Sequence, residues 1–575
     1  LPAIDGLRAT AVLAVVAYHA GLPVPAGFVG VDVFFVISGY VITRMLAAEH
    51  AQTGRIDFAA FYARRVRRIL PALAVVVLAV LAASVVLLGP VDRLAVVKSA
   101  VAAMAVSANF HFQSVTGGYF DASADQMPLL HLWSLAVEEH FYFVWPLLLA
   151  LLYRVSRAPV LVALALGSFA LAQTWPSEVA FYEMPARFWE LAVGGLIAFA
   201  PTRSRVVYGY AGLALLAGAV MVPLSHFPGS GALPAVLGAA LVLHVVHSGF
   251  RVPMLELRPM RYVGLISYSL YLWHWPLLAL AKAYSMDPPP LWANLSLCGV
   301  AFVLAALSYR YVETPFRRRQ APQFKAIAAG VLTCVAVAGC AGAMGTSIHA
   351  DDLSARTARD FPAITSRCHA DMGDPARLPP ADCGMGDVVL WGDSHAYAWR
   401  PYAERFGAIT PLTRGACPPS VGRTGFPLCA QFNRLAVERA KQGRIVIMAA
   451  AWLRWLNDEH AQATRDGFAD ALAAVAPHVQ KVIVLGPLPR MPYNARKCID
   501  KGRIDACVMS RAEFDRKAAA GRAFLQAQAA RYVNVEYVDP TGFFCNATTC
   551  PMMKDGYSLY WDDNHISASA ARNFR

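Results

Sequence analysis

The sequence predicts a multi-span α-helical membrane bundle of about 11 transmembrane helices, followed by a C-terminal α/β three-layer domain. Three observations carry this expectation. Of 575 residues, 57% are hydrophobic and only 15% charged, whereas a soluble domain carries about 25% charged residues. Up to Met344 the apolar residues gather into long runs, and after Asp351 they break into short β-rich stretches between amphipathic ones. Eight of the 11 cysteines fall after Asp351. Disorder is excluded by the apolar content, and a disulfide miniprotein by size. The chain starts LPAIDGLRAT, with no Met and no complete signal peptide, so a few further N-terminal residues are expected to precede it.

A spanning helix needs about 20 mainly apolar residues. The candidate spans centre on Leu7–Ala20, Phe28–Leu46, Ile69–Leu88, Leu130–Tyr153, Pro159–Thr174, Phe188–Ala200, Val206–Leu224, Ala232–His247, Tyr262–Ala281, Leu291–Tyr311 and Ala326–Met344. A twelfth stretch, Leu94–Phe110, is weakened at its start by Asp92, Arg93 and Lys98. Loop charge decides its reading. With a cytoplasmic N-terminus and 11 crossings, the clusters Arg64/Arg65/Arg67/Arg68, Arg154/Arg157, Arg203/Arg205, Arg251/Arg258/Arg261 and Arg317–Arg319 all fall inside. The opposite loops Gly21–Gly27, Trp175–Ala186 and Pro223–Gly231 contain no Lys or Arg, as the positive-inside rule expects. Leu94–Phe110 is therefore expected as an interfacial or re-entrant helix on the outer face, and everything after Met344 lies outside the cytoplasm.

The formal charge of +13 has the same explanation. Its membrane-half share sits at span ends, and no nucleic-acid motif accompanies it, so no nucleic-acid partner is expected. Cysteine usage agrees with export. Cys298, Cys334 and Cys340 lie in apolar spans, while Cys368, Cys383, Cys417, Cys429, Cys498, Cys507, Cys545 and Cys550 form an even set that reads as disulfides. Neighbour pairing (368–383, 417–429, 498–507, 545–550) is the simplest of many connectivities, among which the spacing does not decide. Zinc is the rival, but no Cys-x-x-Cys pair appears, so no metal is expected.

Ionisable side chains inside spans are costly and mark function. Arg8 and His19 share the first span at a separation of eleven residues, about three helical turns and so roughly one face. Taken singly, they read as a snorkelling anchor and a helix-end histidine. Their neighbours argue for more. Asp32 and Ser38 lie in the second span, Glu138, Glu139 and His140 in the fourth, and Tyr268, Tyr271 and His274 in the ninth.

Several strings here resemble the bacterial membrane-bound acyltransferase-3 family. They are Ile4-Asp-Gly-Leu-Arg8 with His19, Gly30-Val-Asp-Val-Phe-Phe-Val-Ile-Ser-Gly-Tyr40, Ala63-Arg-Arg-Val-Arg-Arg-Ile-Leu-Pro71, the run His131–Pro146, Ser267-Tyr-Ser-Leu-Tyr-Leu-Trp-His-Trp-Pro276 and Tyr311-Val-Glu-Thr-Pro-Phe-Arg317. The resemblance runs in order across about residues 1–320. It implies an acyl group taken from cytoplasmic acetyl-CoA and passed toward an outer-face glycan, with Arg8 and His19 catalytic and Arg65 and Arg68 binding the donor. The residue types suit these tasks. Histidine titrates near neutrality, and arginines recognise phosphates bidentately, although Arg64–Arg68 also read as a lipid anchor. Glu138 is a third catalytic candidate, as the group that orients His19 or as the base for a sugar hydroxyl.

In the C-terminal part the candidate strands are Asp387–Trp391, Arg444–Ala449, Lys481–Gly486 and Asn534–Val538, and the candidate helices Cys429–Gln442, Arg465–Val475 and Ala512–Ala530. Their alternation predicts a parallel sheet covered by helices, with ligands beyond the carboxyl ends of the strands. The first strand runs into Trp391-Gly-Asp-Ser-His-Ala396, and Trp561-Asp-Asp-Asn-His565 lies near the C-terminus. A Gly-Asp-Ser turn exposes a serine at a helix N-terminus, and Asp-x-x-His supplies an oriented base. These residues are similar to the SGNH hydrolases, which have a flavodoxin-like fold. The resemblance implies Ser394 as nucleophile, His565 as base and Asp562 as its orienting acid, with the family's glycine block at Gly415. The family's oxyanion-hole Asn is missing: the strand Ile445–Ala451 runs into Trp452, with no Asn until Asn457. The Trp452 N–H or another backbone group is the expected substitute. His395 is read as a helix N-terminal neighbour of the serine.

The expected organisation is therefore an acyltransferase-3 domain over 1–320, a further transmembrane helix over 321–350, a periplasmic linker over 351–385 and an SGNH-like domain over 386–575. The combination resembles bacterial O-acetyltransferases of lipopolysaccharide O-antigen. It implies a multi-pass inner-membrane enzyme with a periplasmic C-terminal domain. Acetyl-CoA is the expected donor, a surface polysaccharide or its lipid-linked precursor the acceptor, membrane lipids the surroundings, and no cofactor is tightly bound. Peptidoglycan or another exopolysaccharide is the alternative acceptor, and a membrane-anchored carbohydrate esterase the alternative class.

Overall fold

In a computed structural model, residues 1–116, 124–153, 157–319, 321–346, 353–362, 369, 383–422 and 427–575 are described. Arg154, Cys368 and most of the 363–382 stretch of the expected linker lie outside the described residues. The chain divides into two compact units. One comprises Leu1–Leu88, Asp92–Gly117 and Asp121–Ile348; the other is His349–Arg575 with the short pieces Gly89–Val91 and Gly118–Phe120.

In the first unit each of the 11 apolar stretches is helical. Seven described helices are long and apolar enough to cross a bilayer: Gly27–Thr53, Phe58–Leu87, Leu132–Leu152, Ser230–His247, Arg258–Tyr284, Leu291–Arg318 and Gln323–Thr346. Ala158–Thr174 and Val206–Met221 are apolar but shorter. The two remaining helices are polar or short: Pro2–His19 carries Asp5, Arg8 and His19, and the 14-residue Met184–Ile197 carries Arg187 and Glu190. Around the outside, Phe143, Leu147, Leu151, Val303, Leu332 and Val335 are uncovered by protein, a surface suited to lipid. The twelfth stretch breaks at Ala105–Ser107, where Val106 has a φ of 56°, into the helices Pro90–Met104 and Ala108–Val115.

Close backbone approach sets the inner packing. Pro2–His19 lies against Arg258–Tyr284, and a Cβ at Gly264 would collide with the Asp5 carbonyl. Only glycine lets the two helices come this near, which brings their polar residues into contact. The Leu291–Arg318 helix carries a π-helical turn at Tyr309–Glu313, where Glu313 accepts a hydrogen bond from Ser269. Such turns concentrate at functional sites.

In the second unit five parallel strands form one sheet: β1 (Val388–Gly392), β2 (Ile409–Thr413), β3 (Ile445–Ala449), β4 (Lys481–Leu485) and β5 (Val535–Val538). Their order, β2-β1-β3-β4-β5, is that of a doubly wound sheet. Helices Pro427–Ala440, Ala461–Val475 and Arg511–Ala529 fall where amphipathic periodicity places them. Strand β2 was not expected, because Pro411 stands inside it. As an edge strand, β2 tolerates the missing N–H. The disulfides Cys417–Cys429, Cys498–Cys507 and Cys545–Cys550 pair neighbours. Cys383 is also disulfide-bonded.

Candidate active site

The site of the C-terminal unit begins where β1 ends, at the switch point between β2 and β3. Gly392 has a φ of 152°, and a Cβ there would collide with the Ala449 carbonyl of the neighbouring strand. This lets the chain turn sharply into the short helix Ser394–Ala398. Asp393 caps that helix, accepting from the His395 N–H at 2.8 Å. Its other oxygen accepts from the Ala451 N–H at 2.9 Å and from the Trp455 indole at 2.7 Å. The loops after β1 and β3 are thus locked together, with Ser394 buried at the helix start.

His565 meets Ser394 from the last segment of the chain, its Nε2 lying 2.8 Å from Oγ. Its Nδ1 lies 2.6 Å from Asp562 Oδ2. Asp562 Oδ1 accepts from the backbone N–H groups of Asn564 (2.8 Å) and His565 (2.6 Å). Burial alone would raise this carboxyl, but the adjacent His565 and these hydrogen bonds hold it below the ordinary carboxylate value. An ionised Asp562 only accepts, so Nδ1 carries the hydrogen and Nε2 takes the serine proton. Such a chain can generate a nucleophilic serine oxygen.

Two further groups line this site: His395, which the sequence placed only as a neighbour of the serine, and Phe361, which it did not single out. His395 lies against His565, with ring centroids 4.8 Å apart, and its Nε2 is 3.0 Å from Asn564 Oδ1. Asn564 Nδ2 donates to Asp563 at 2.7 Å, which orients its carbonyl toward His395. Burial and then His565 lower the His395 pKa, keeping this ring neutral at neutral pH. The second group is Phe361, packed on Trp561 at 4.7 Å with the rings tilted by 35°, and edge-on to His565 at 5.9 Å. The Trp561 indole donates to the Ala358 carbonyl (2.9 Å), so part of the stretch expected as a linker over 351–385 forms the site wall. A stretch rich in Asp, Ala, Arg and Pro gives no signal of this.

The oxyanion expectation needs correction at Trp452. Its N–H donates to the Ala450 carbonyl at 2.7 Å and its indole to Leu485 at 2.8 Å. Both donors are used in building the turn after β3, so Trp452 does not stand in for the missing Asn. Asn457 does not either: it is exposed and donates to the Leu453 and Lys517 carbonyls. Gly415 is better placed. The Arg414 N–H donates to the Gly392 carbonyl at 3.1 Å, holding the Gly415 loop beside the Ser394 turn.

In the membrane unit the expected residues separate into two clusters. Eleven residues of helix span about 16 Å, so Arg8 and His19 cannot touch one small group together. Arg8 pairs with Asp5 at 3.6 Å and shares its electrostatic neighbourhood with Arg68, Tyr142 and Glu138. Arg65 stacks over the rings of Phe61 and Tyr142, at 5.8 and 5.6 Å. Glu138 accepts hydrogen bonds from Ser38 and Tyr142. It does not orient His19, a correction with a plain cause: Glu138 belongs to the Arg8 end. His19 instead meets His274, Nδ1 to Nε2 at 3.0 Å, and the edge of Trp275.

A fully buried ion group was also missed. Arg187 pairs with Asp32 at 2.9 Å and with Glu190 at 3.3 Å. A carboxylate inside the second span demanded a cation, and Arg187, at the start of another span, was the available signal.

An acyltransferase domain model matches residues 1–310, and a model described as an SGNH domain fused to AT3 domains matches residues 359–575. The relatives include peptidoglycan O-acetyltransferase OatA of Listeria monocytogenes, 32% identical over 349 residues, 55% of this chain and 56% of that protein. O-acetyltransferase OatA of Staphylococcus aureus is 31% identical over 357 residues, covering 57% and 58%. The chain therefore spans somewhat over half the length of the curated relatives it matches. No solved structure matches. The first matched region falls within the unit of apolar helices and the second within the unit that holds Ser394, His565 and Asp562, and the chain belongs to the acyltransferase family of the first model, with a fused SGNH domain.

Proposed function

We propose that this protein is an O-acetyltransferase that moves acetyl from cytoplasmic acetyl-CoA to hydroxyls of a cell-wall polysaccharide on the outer face of the membrane. The observation that carries the reading is the Ser394–His565–Asp562 chain, with links of 2.8 and 2.6 Å, in a domain fused to an acyltransferase bundle. The names of the relatives favour peptidoglycan over the lipopolysaccharide O-antigen expected from sequence. Arginine-rich inner loops and disulfides in the C-terminal unit support a cytoplasmic N-terminus and an exported Ser394 domain.

The membrane half takes the acetyl group, with Arg8, Arg65 and Arg68 holding the phosphates of the donor while a ring nitrogen of His19, further along the first helix, attacks the thioester carbonyl; the new N–C bond replaces the C–S bond, and CoA leaves as its thiolate. Ser394 Oγ then attacks the acetyl carbonyl. His565 Nε2 takes the serine proton and returns it to the leaving group as that bond breaks. In the second half a sugar hydroxyl gives its proton to His565 and attacks the Ser394 ester. Its new C–O bond replaces the bond to Oγ, which regains the proton. A site without the family's oxyanion-hole Asn has fewer donors for an oxyanion, a loss worth about 2.7–4 kcal/mol for one donor.

The test is mass spectrometry of cell-wall polysaccharide from cells carrying native protein or Ser394→Ala. Acetylation should vanish in the variant while acetyl-CoA consumption by the membrane half persists. Full acetylation by the variant would remove the serine step.

A further inference from the structure

Outside the Ser394 site, the membrane unit holds three histidines together: His19, His274 and His131. His274 is fully buried. Its Nδ1 lies 2.8 Å from the Tyr271 carbonyl and 3.2 Å from the Leu270 carbonyl. Carbonyl oxygens only accept, so this Nδ1 carries the hydrogen. A neutral imidazole has one N–H, which leaves His274 Nε2 with a lone pair. That nitrogen faces His19 Nδ1 at 3.0 Å. Two bare nitrogens would repel, so His19 Nδ1 carries a hydrogen and donates it. His19 Nε2 is then the atom with the free lone pair.

From this chain of hydrogen bonds we propose that His274 is a positioning residue, which holds His19 as the Nδ1–H tautomer and so makes Nε2 its reactive atom. The inference rests on the reading of His19 as the group that handles acetyl in the membrane half. The surroundings fit the role. Trp275 packs edge-on against the His19 ring at a centroid distance of 4.5 Å, and its indole is tied to the Met127 carbonyl at 2.8 Å. The rings of His19 and His274 lie nearly parallel, at 17°. Tyr271 closes the other side, donating to the His131 carbonyl at 3.0 Å and pairing with Ser134 at 2.6 Å. When Nε2 takes up a proton or an acyl group the His19 ring becomes cationic, and the bond from its Nδ1–H to His274 becomes charge-assisted and stronger. His274 thus does with a neutral acceptor what Asp562 does for His565 with a charged one. A ring held this way needs no counter-ion inside the bilayer, where an isolated carboxylate is costly.

The experiment uses the full chain in proteoliposomes with acetyl-CoA and a cell-wall polysaccharide, and three variants. His274→Leu removes the acceptor and should lower kcat on the order of 10²-fold, as loss of an orienting partner does, with KM for acetyl-CoA little changed. His274→Gln offers an amide oxygen near the position of Nε2 and should restore most of that loss. Nitrogen NMR of histidine-labelled native protein should show a bare Nε2 on His19, identified as the signal absent from His19→Ala. A native His19 protonated at Nε2, or His274→Leu transferring at the native rate, would overturn the proposal. So would a folded His274→Gln as inactive as His274→Leu. Should His19→Ala acetylate normally, the role of His19 in transfer fails instead, and the tautomer measurement still stands on its own.

Discussion

The Trp455 indole donates to Asp393 at 2.7 Å, and that hydrogen bond joins the segment after β3 to the turn that presents Ser394. Asp393 also caps the Ser394–Ala398 helix and accepts from Ala451. Removing its carboxylate in Asp393→Ala strands three donors in a buried place. At about 1–3 kcal/mol for each unsatisfied group, the C-terminal unit should lose several kcal/mol. Trp455→Phe should lose about 1.5–3 kcal/mol, the scale of one hydrogen bond to a charged group. Thermal unfolding of the detergent-solubilised chain checks both, and equal midpoints for native and Trp455→Phe would contradict the tie.

Asp562→Asn preserves shape but no longer demands a hydrogen on His565 Nδ1. Polysaccharide acetylation should drop on the order of 10³–10⁴-fold, as expected when an imidazole is held in the wrong tautomer. The native carboxyl is held below its ordinary value. Its stabilising effect is therefore complete above the unfolded-state pKa, about 3.9, and lost as pH falls through the lower folded value. The stability gap between native and Asp562→Asn should hold from neutrality to about pH 4 and close below it.

Buried His369 gives a landmark of the same sign at higher pH. Its Nδ1 pairs with Thr413 Oγ1 at 3.0 Å, and burial pushes its pKa down to about 4, with nearby Asp393 opposing and His565 and Arg414 adding to the shift. The unfolded chain then binds this proton more readily. Stability from the neutral ring is present above about pH 6.5 and is lost as pH falls from there toward about 4. His369→Gln should flatten that slope in unfolding midpoints measured from pH 7 to pH 4; an unchanged slope would assign it to other groups.

In the membrane unit, Arg187→Leu leaves Asp32 and Glu190 buried without a cation. The cost should be about 3–5 kcal/mol, read as a lower unfolding midpoint in detergent. Combining it with Asp32→Leu and Glu190→Leu should recover most of the loss, because an all-apolar replacement removes the charges together. A triple variant no more stable than the single one would show that the group does more than balance charge.

Much of the fold was legible because its signals are local. The apolar runs became helices at the expected places, and the four alternating segments became strands β1 and β3–β5 within a residue or two. Gly392-Asp-Ser394 and Asp562-x-x-His565 carry their turn geometry in consecutive residues. Strand β2 was hidden by Pro411, since only sheet order reveals that it is an edge. Trp452 was misread for a related reason: an N–H counts as an oxyanion donor only after the local turn has taken its share.

By itself the sequence determined which segments are apolar, where the serine turn and its histidine lie, and that buried polar side chains had to exist. Only the tertiary structure decided how those side chains pair. His274 and His19 are 255 residues apart, Arg187 and Asp32 are 155 apart, and His565 and Ser394 are 171 apart. The physical reason is that a buried polar group must find a partner, while its chemistry admits many. Which one it meets is set by helix and strand packing, down to a glycine such as Gly264 that lets two backbones touch.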